Sequence, residues 1–155
     1  MVKEVDTSVF ESNCDIPVNC RDVMRGCVAL ELKKMRIYTT YFSNVINLPN
    51  NIAPVSIALK PPKDWSGFQY RVLAPKEEFF YKWRENRDNE YYIEHFEAEV
   101  LAPLDASEVV GELFKLAEPY ASIALVCYEL PNEFCHRHLV ARWLQQYGFE
   151  VAEFT

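Results

Sequence analysis

At 155 residues, half of them hydrophobic and a quarter charged, the chain has the size and composition of one ordinary globular domain. No apolar run approaches the roughly 20 residues of a membrane helix, so no membrane association is expected. A net charge of −7 argues against a general nucleic-acid binder, because neutralising phosphates requires a basic face.

The charge is unevenly spread. Residues 60–87 carry seven bases against four acids, and residues 88–155 carry three bases against thirteen acids. A local basic pocket for a small anion is therefore compatible with the acidic whole. The start, MVKEVDTSVFES, lacks the basic-then-apolar pattern of an export signal. A cytoplasmic, reducing setting is expected, with the five cysteines as thiols.

Residues 1–34 read as an N-terminal extension to a domain spanning 35–155. Three cysteines (Cys14, Cys20, Cys27) lie in the extension, and 20–34 has the spacing of an amphipathic helix. RIYTTYF (36–42) is β-branched and aromatic and predicts a strand. APVSIAL (53–59) predicts a buried strand. Residues 59–75, with paired prolines and Gly67, read as a long working loop.

Helices are predicted over 76–86, with Phe79, Phe80 and Trp83 at helical spacing, and over 89–101, with Tyr92, Phe96 and Val100. Trp83, Tyr91 and Tyr92 read as core and surface aromatics. Asp105 or Ser107 can cap a third helix reaching about 118, with Val109, Val110, Leu113 and Leu116 as its stripe. ASIALVCYE (121–129) predicts a buried strand. FCHRHLVARWLQQY (134–147) predicts a helix with Val140, Trp143, Leu144 and Tyr147 on one face, and Gly148 beyond its end. FEVAEF (149–154) predicts a last strand. The pattern implies an α/β fold, a single three-layer domain with a mainly parallel sheet and a C-terminal strand–helix–strand crossover.

In such a sheet, ligands bind beyond the carboxyl ends of the strands. Three segments are expected there: Ser43–Asn44, the 60–75 loop and Cys127–Arg137. Cys135, His136 and Arg137 would open a helix, where free amides and the dipole favour anions and lower a thiol pKa. Each residue also has a plainer reading. Cys127 can be core packing, His136 a structural histidine, and Arg137 the partner of an internal carboxylate. Lys60, Lys63, Trp65, Tyr70 and Arg71 alternate cations with aromatics, which suits a planar anion, or else pins a solvated loop.

Spacing tests two named chemistries. A phosphatase-type loop needs Cys-x5-Arg, and counting from Cys127 that position is Glu133, which excludes a standard tyrosine-phosphatase loop. A structural zinc site favours paired short spacings, and the adjacent residues Cys135 and His136 are not expected to face one ion, so no metal is expected. No cofactor is expected either.

The stretch VCYELPNEFCHRHLVARWL (126–144) resembles the domain of unknown function 488 family in its short bacterial form. Its marks are a strand ending in cysteine, an acidic–proline loop, then Cys-His-Arg opening a helix. MRIYTTYFSN and SIALKPPKDWSGFQYRVLAP, ending in Leu-Ala-Pro, resemble the family's first strand and proline–tryptophan loop, so the resemblance covers about 36–147. It implies an α/β fold and a shared pocket using Cys127, Cys135, His136 and Arg137 with Tyr41, Asn44, Lys60 and Trp65.

The resemblance supplies this residue set, and the roles within it are assigned from residue chemistry. Cys135 and His136 are the catalytic candidates, as nucleophile and acid/base. Arg137, with Cys127, Lys60, Trp65, Tyr41 and Asn44, would bind a small nucleotide-like or phosphorylated substrate. The alternative is a binding module without turnover, an adaptor associated with nucleic acid. All three strand ends, near 42, 59 and 127, are expected to line one pocket that Arg137 reaches.

Overall fold

The computed structural model describes residues 32–155. Cys14, Cys20 and Cys27, and most of the helix expected over 20–34, lie outside the described residues. Residues 35–155 form one compact unit. Its centre is a five-stranded sheet in the order β3-β2-β4-β1-β5, with every pairing parallel. The strands are β1 (Arg36–Tyr41), β2 (Ile52–Ser56), β3 (Phe68–Gln69), β4 (Ser122–Cys127) and β5 (Val151–Glu153). The helices are α1 (Glu77–Asn86), α2 (Asn89–Phe96), α3 (Ala106–Leu116) and α4 (His136–Gln146).

β4 is the middle strand, and its composition explains why. Ile123 through Cys127 are all buried. Successive strand residues face opposite sides, so a fully buried run requires both faces to be covered, the three-layer arrangement. Each large aliphatic side chain enclosed this way contributes about 1.5–3 kcal/mol. Two of the helices, α2 and α3, start where short polar side chains accept their free amides. Asp88 caps α2 through the Tyr91 amide at 3.1 Å, and Asp105 caps α3 through the Glu108 amide at 3.0 Å. Past Leu116, α3 ends sooner than the spacing suggests, and Leu116 is exposed while Phe114 is buried. α2 continues into a wider π-helical turn over Glu97–Leu101, which accounts for the full helical span expected to residue 101.

α4 joins β4 to β5, and these two strands flank β1. Leu139, Val140, Trp143 and Leu144 are buried, and Tyr147, one turn past Trp143 with its ring 6.0 Å from that of Trp143, is exposed. Gly148 follows with φ 88°, the left-handed conformation that glycine adopts without a Cβ clash. The 60–75 segment is more structured than a plain loop. It contains β3, which pairs with β2 through Val55–Phe68 and Ser56–Gln69, and a 3-10 turn over Arg71–Leu73. Among the described residues, no helix is long and apolar enough to cross a membrane.

Register fixes where the chemistry can sit. Tyr41 stands opposite Cys127 and Ser56 opposite Val126, and the Ile57 amide donates to the Val126 carbonyl at 3.1 Å. The carboxyl ends of β1, β2 and β4 therefore finish at one level of the sheet.

Candidate functional site

β4 ends on Cys127, and residues 128–135 carry the chain to α4. Glu133 ties this loop, accepting from the Leu130 amide at 2.9 Å through its carboxylate while its own amide donates to the Leu130 carbonyl at 3.0 Å. The residue at the would-be phosphatase arginine position is thus a turn residue. Cys135 precedes α4 with extended backbone (φ −151°, ψ 141°), and His136 is the first helical residue. This change of backbone direction brings two adjacent side chains onto one point. The ligand-type atoms of Cys127, Cys135 and His136 all lie within 4.8 Å of one another, contrary to the sequence expectation that neighbours 135 and 136 would diverge.

All three side chains are buried, at 4%, 3% and 5% exposure. His136 Nε2 lies 2.8 Å from the Ile57 carbonyl oxygen, and Nδ1 lies 3.6 Å from Cys127 Sγ. A carbonyl only accepts, so Nε2 carries the proton and Nδ1 faces the thiols. The ring packs at 5.4 Å from Phe96 on α2. Cys127 Sγ also lies 3.5 Å from Glu129 Oε2.

The two thiols are driven apart electrostatically. Burial opposes a thiolate at Cys135, but hydrogen bonds from Cys127 and His136, the imidazolium charge and the Arg137 amide outweigh it and hold Cys135 well below the usual thiol range. Cys127 is pushed well above that range by its hydrogen bond to Cys135, by burial and by the neighbouring negative charges. Burial lowers His136, yet hydrogen bonding and attraction to Cys135 prevail and raise it. Burial, then the charge on Cys135, lifts Glu129 to about 7. These shifts favour a thiolate at Cys135, with His136 as its protonated partner, over a thiolate at Cys127.

These groups face a cavity of about 460 Å³. Cys127, Cys135, His136 and Glu129 form part of its wall, and Lys60, Arg84 and Arg87 line it too. Trp83, Tyr92, Tyr128 and Phe134 supply aromatic surface. The Arg87 guanidinium carbon sits 4.6 Å from the Trp83 ring centre, and Lys60 Nζ lies 3.4 Å from the Tyr81 hydroxyl. Arg84, Arg87, Trp83, Tyr92 and Glu129 were not singled out from sequence as site residues. Arg84 lies in the last turn of α1 and Arg87 just beyond its end, and nothing in their spacing marks them as site residues.

A family model described as DUF488-N3a, the active DUF488-N3 subclade, matches residues 42–148. The chain belongs to the DUF488 family. Comparison with curated proteins gave no match, nor did comparison with solved structures. Within this DUF488 chain the matched span holds every residue of the cavity wall, whereas β1 and β5 lie outside it.

The remaining expected site residues of this DUF488 domain sit elsewhere. Arg137 does not line the cavity, which corrects the expectation that it reaches the pocket. It is fully buried, with Nη2 2.9 Å from Glu153 Oε2 and Nε 3.3 Å from Glu153 Oε1. Its Nη1 donates to the Glu129 carbonyl at 2.6 Å. The β5 carboxylate captures the guanidinium, which in turn clamps the chain just after Cys127. Tyr41 lies under Arg137, 5.9 Å from ring centre to guanidinium carbon. Asn44 Nδ2 donates to Thr40 Oγ1 at 3.1 Å and to the Phe154 carbonyl at 3.0 Å. Trp65 donates to the Phe68 carbonyl at 3.0 Å and packs on Phe42, whose ring also meets Tyr128 at 4.6 Å. Of the expected set, Cys127, Cys135, His136 and Lys60 meet at the cavity, while Arg137, Tyr41, Asn44 and Trp65 do not line it.

Proposed function

We propose that this DUF488 domain is a thiol enzyme acting on a small anionic substrate with a planar ring, of nucleotide-like or phosphorylated character. The observation that carries the reading is the Cys127–Cys135–His136 cluster in the wall of a cavity that also presents Lys60, Arg84 and Arg87. A volume of about 460 Å³ falls in the range of small-molecule sites. The subclade's description as active accords with a working centre.

In this reading Lys60, Arg84 and Arg87 hold the anionic group, and Trp83 and Tyr92 offer faces to a ring. Cys135, at the start of α4, attacks the electrophilic atom. The bond from sulfur forms as the bond to the leaving group breaks, and protonated His136 gives its Nδ1 proton to that group. The imidazole then takes a proton from the water that releases the product and frees the thiolate. Cys127 keeps its proton and donates a hydrogen bond to Cys135, and Glu129 is a second proton carrier. A working thiol pair needs a reducing compartment, so the reading puts the chain in the cytoplasm. Three cations of the 60–87 segment line a concavity, which favours a small molecule over nucleic acid for the non-enzymatic alternative too.

The test is thermal stabilisation of the full chain by nucleoside phosphates and phosphorylated metabolites. An anion at a hundredfold excess over its Kd stabilises the fold by about 2.7 kcal/mol. The expected result is a shift with at least one of these anions that disappears in Arg84→Ala/Arg87→Ala. No shift with any anion, or an equal shift in that variant, overturns the reading.

A further inference from the structure

We propose that Cys127, Cys135 and His136 form a site for a thiophilic divalent cation of the zinc class, with the fourth coordination position open to the cavity. With metal–sulfur bonds of about 2.3 Å and metal–nitrogen bonds of about 2.0–2.1 Å, a tetrahedral site has a sulfur–nitrogen edge of about 3.6 Å. Cys127 Sγ and His136 Nδ1 are 3.6 Å apart, and all three donor atoms fall within 4.8 Å of one another. The pair is already spaced as two ligands of one ion.

His136 is also turned the right way. Its Nε2 is committed to the Ile57 carbonyl at 2.8 Å, so the proton released on metal binding is the one on Nδ1, and that atom then offers its lone pair beside the thiols. Metal-binding histidines are oriented by just such an outer hydrogen bond. Two thiolates and an imidazole are a soft donor set that selects zinc-class ions over magnesium or calcium. A divalent ion on two thiolates and a neutral imidazole is a neutral assembly, which suits side chains only 3–5% exposed. Three protein ligands and one open position form the arrangement of a reactive metal site, whereas a structural site is closed by four. Glu129, with Oε2 3.5 Å from Cys127 Sγ, lines the same cavity.

The site is the one used by the proposed function, and one consequence rests on that reading. An ion held by both thiols occupies the nucleophile, so metal occupancy and thiol chemistry exclude each other. The cation would act as an off-switch for the centre. Its binding, however, needs no turnover and is read independently.

The experiment titrates chelator-treated full chain with Co²⁺, then Zn²⁺, following the sulfur-to-cobalt charge-transfer absorption. One equivalent should bring up the band, and Zn²⁺ should abolish it. Cys127→Ser and Cys135→Ser should each weaken the band, and His136→Ala should lower affinity by more than the roughly 10–100-fold cost of a lost outer-shell partner. The triple variant Cys14→Ser/Cys20→Ser/Cys27→Ser should keep the band. A mutation-free readout guards against misfolded variants: Zn²⁺ should protect Cys127 and Cys135 of the unaltered chain from alkylation, peptide by peptide in a mass spectrum. No band, no protection, or a band lost only in the triple variant overturns the proposal. Loss of metal binding with anion stabilisation intact leaves the thiol-enzyme reading standing. Metal binding without any anion stabilisation leaves this inference standing and removes that reading.

Discussion

Replacing Glu153 by alanine should destabilise the fold far more than replacing Arg137 by methionine, although the two residues form one ion pair. The Arg137 side chain is 0% exposed and that of Glu153 is 21% exposed. Removing Glu153 takes away the carboxylate that pairs with a buried guanidinium and leaves it the Glu129 carbonyl and its weaker contacts with Cys135 and the Tyr41 ring. Losing one partner of a buried pair costs about 3–5 kcal/mol, and partial exposure at Glu153 favours the lower end, about 3 kcal/mol. Arg137→Met removes the buried charge itself and keeps most of the volume. Glu153 then remains hydrated and keeps its hydrogen bond from Thr39. The cost should be about 1–2 kcal/mol, mainly the hydrogen bond lost at the Glu129 carbonyl. Urea unfolding of both single variants and the double variant, followed by circular dichroism, gives the cycle. In the Arg137→Met background, Glu153→Ala should cost under about 1 kcal/mol, because no buried charge is left to strand. Equal costs in both backgrounds, or a cost below about 1 kcal/mol in the native background, would refute the view that Glu153 neutralises a desolvated arginine.

Asp105→Ala removes the acceptor for the Glu108 amide at the start of α3 and should lower stability by about 1 kcal/mol, seen as a lower thermal midpoint; an unchanged midpoint would mean the cap contributes nothing. Gly67→Ala should cost about 1–3 kcal/mol, because the added Cβ would stand 2.5 Å from Cζ2 of Trp65 and force that ring to move. Tryptophan fluorescence should shift with it. A variant as stable as the parent, with unaltered emission, would show that the segment yields without strain.

Much of this architecture was legible in the sequence because strands and helices announce themselves by burial pattern. The runs in β2 and β4 carry too many apolar residues for one-sided burial, and the capped periodic stretches between them leave little choice but α/β. β3 gave no such signal, being two residues long and stabilised by pairing with β2. The meeting of Cys127, Cys135, His136 and Lys60 followed from parallel strands ending on one edge. Arg137 departed from the expected pocket because the side chain across from it depends on β5, whose Glu153 takes the guanidinium. No periodicity within α4 encodes that partner. Arg84 and Arg87 look like an ordinary solvated helix face, and only the placement of α1 over the strand ends turns that face toward a cavity.

The most direct test of the central claim is the alkylation rate of each cysteine in chelator-treated protein, measured by mass spectrometry across pH with a small iodoacetamide-type reagent. Cys135 is held down by its hydrogen bonds and by protonated His136, while Cys127 is pushed up. Cys135 should therefore react first as the pH is raised, and Cys127 only at clearly higher pH. His136→Ala should erase most of that difference by removing the cation and its hydrogen bond. Equal, slow modification of both thiols at every pH, unaffected by His136→Ala, would contradict a reactive centre and leave the cluster as core packing.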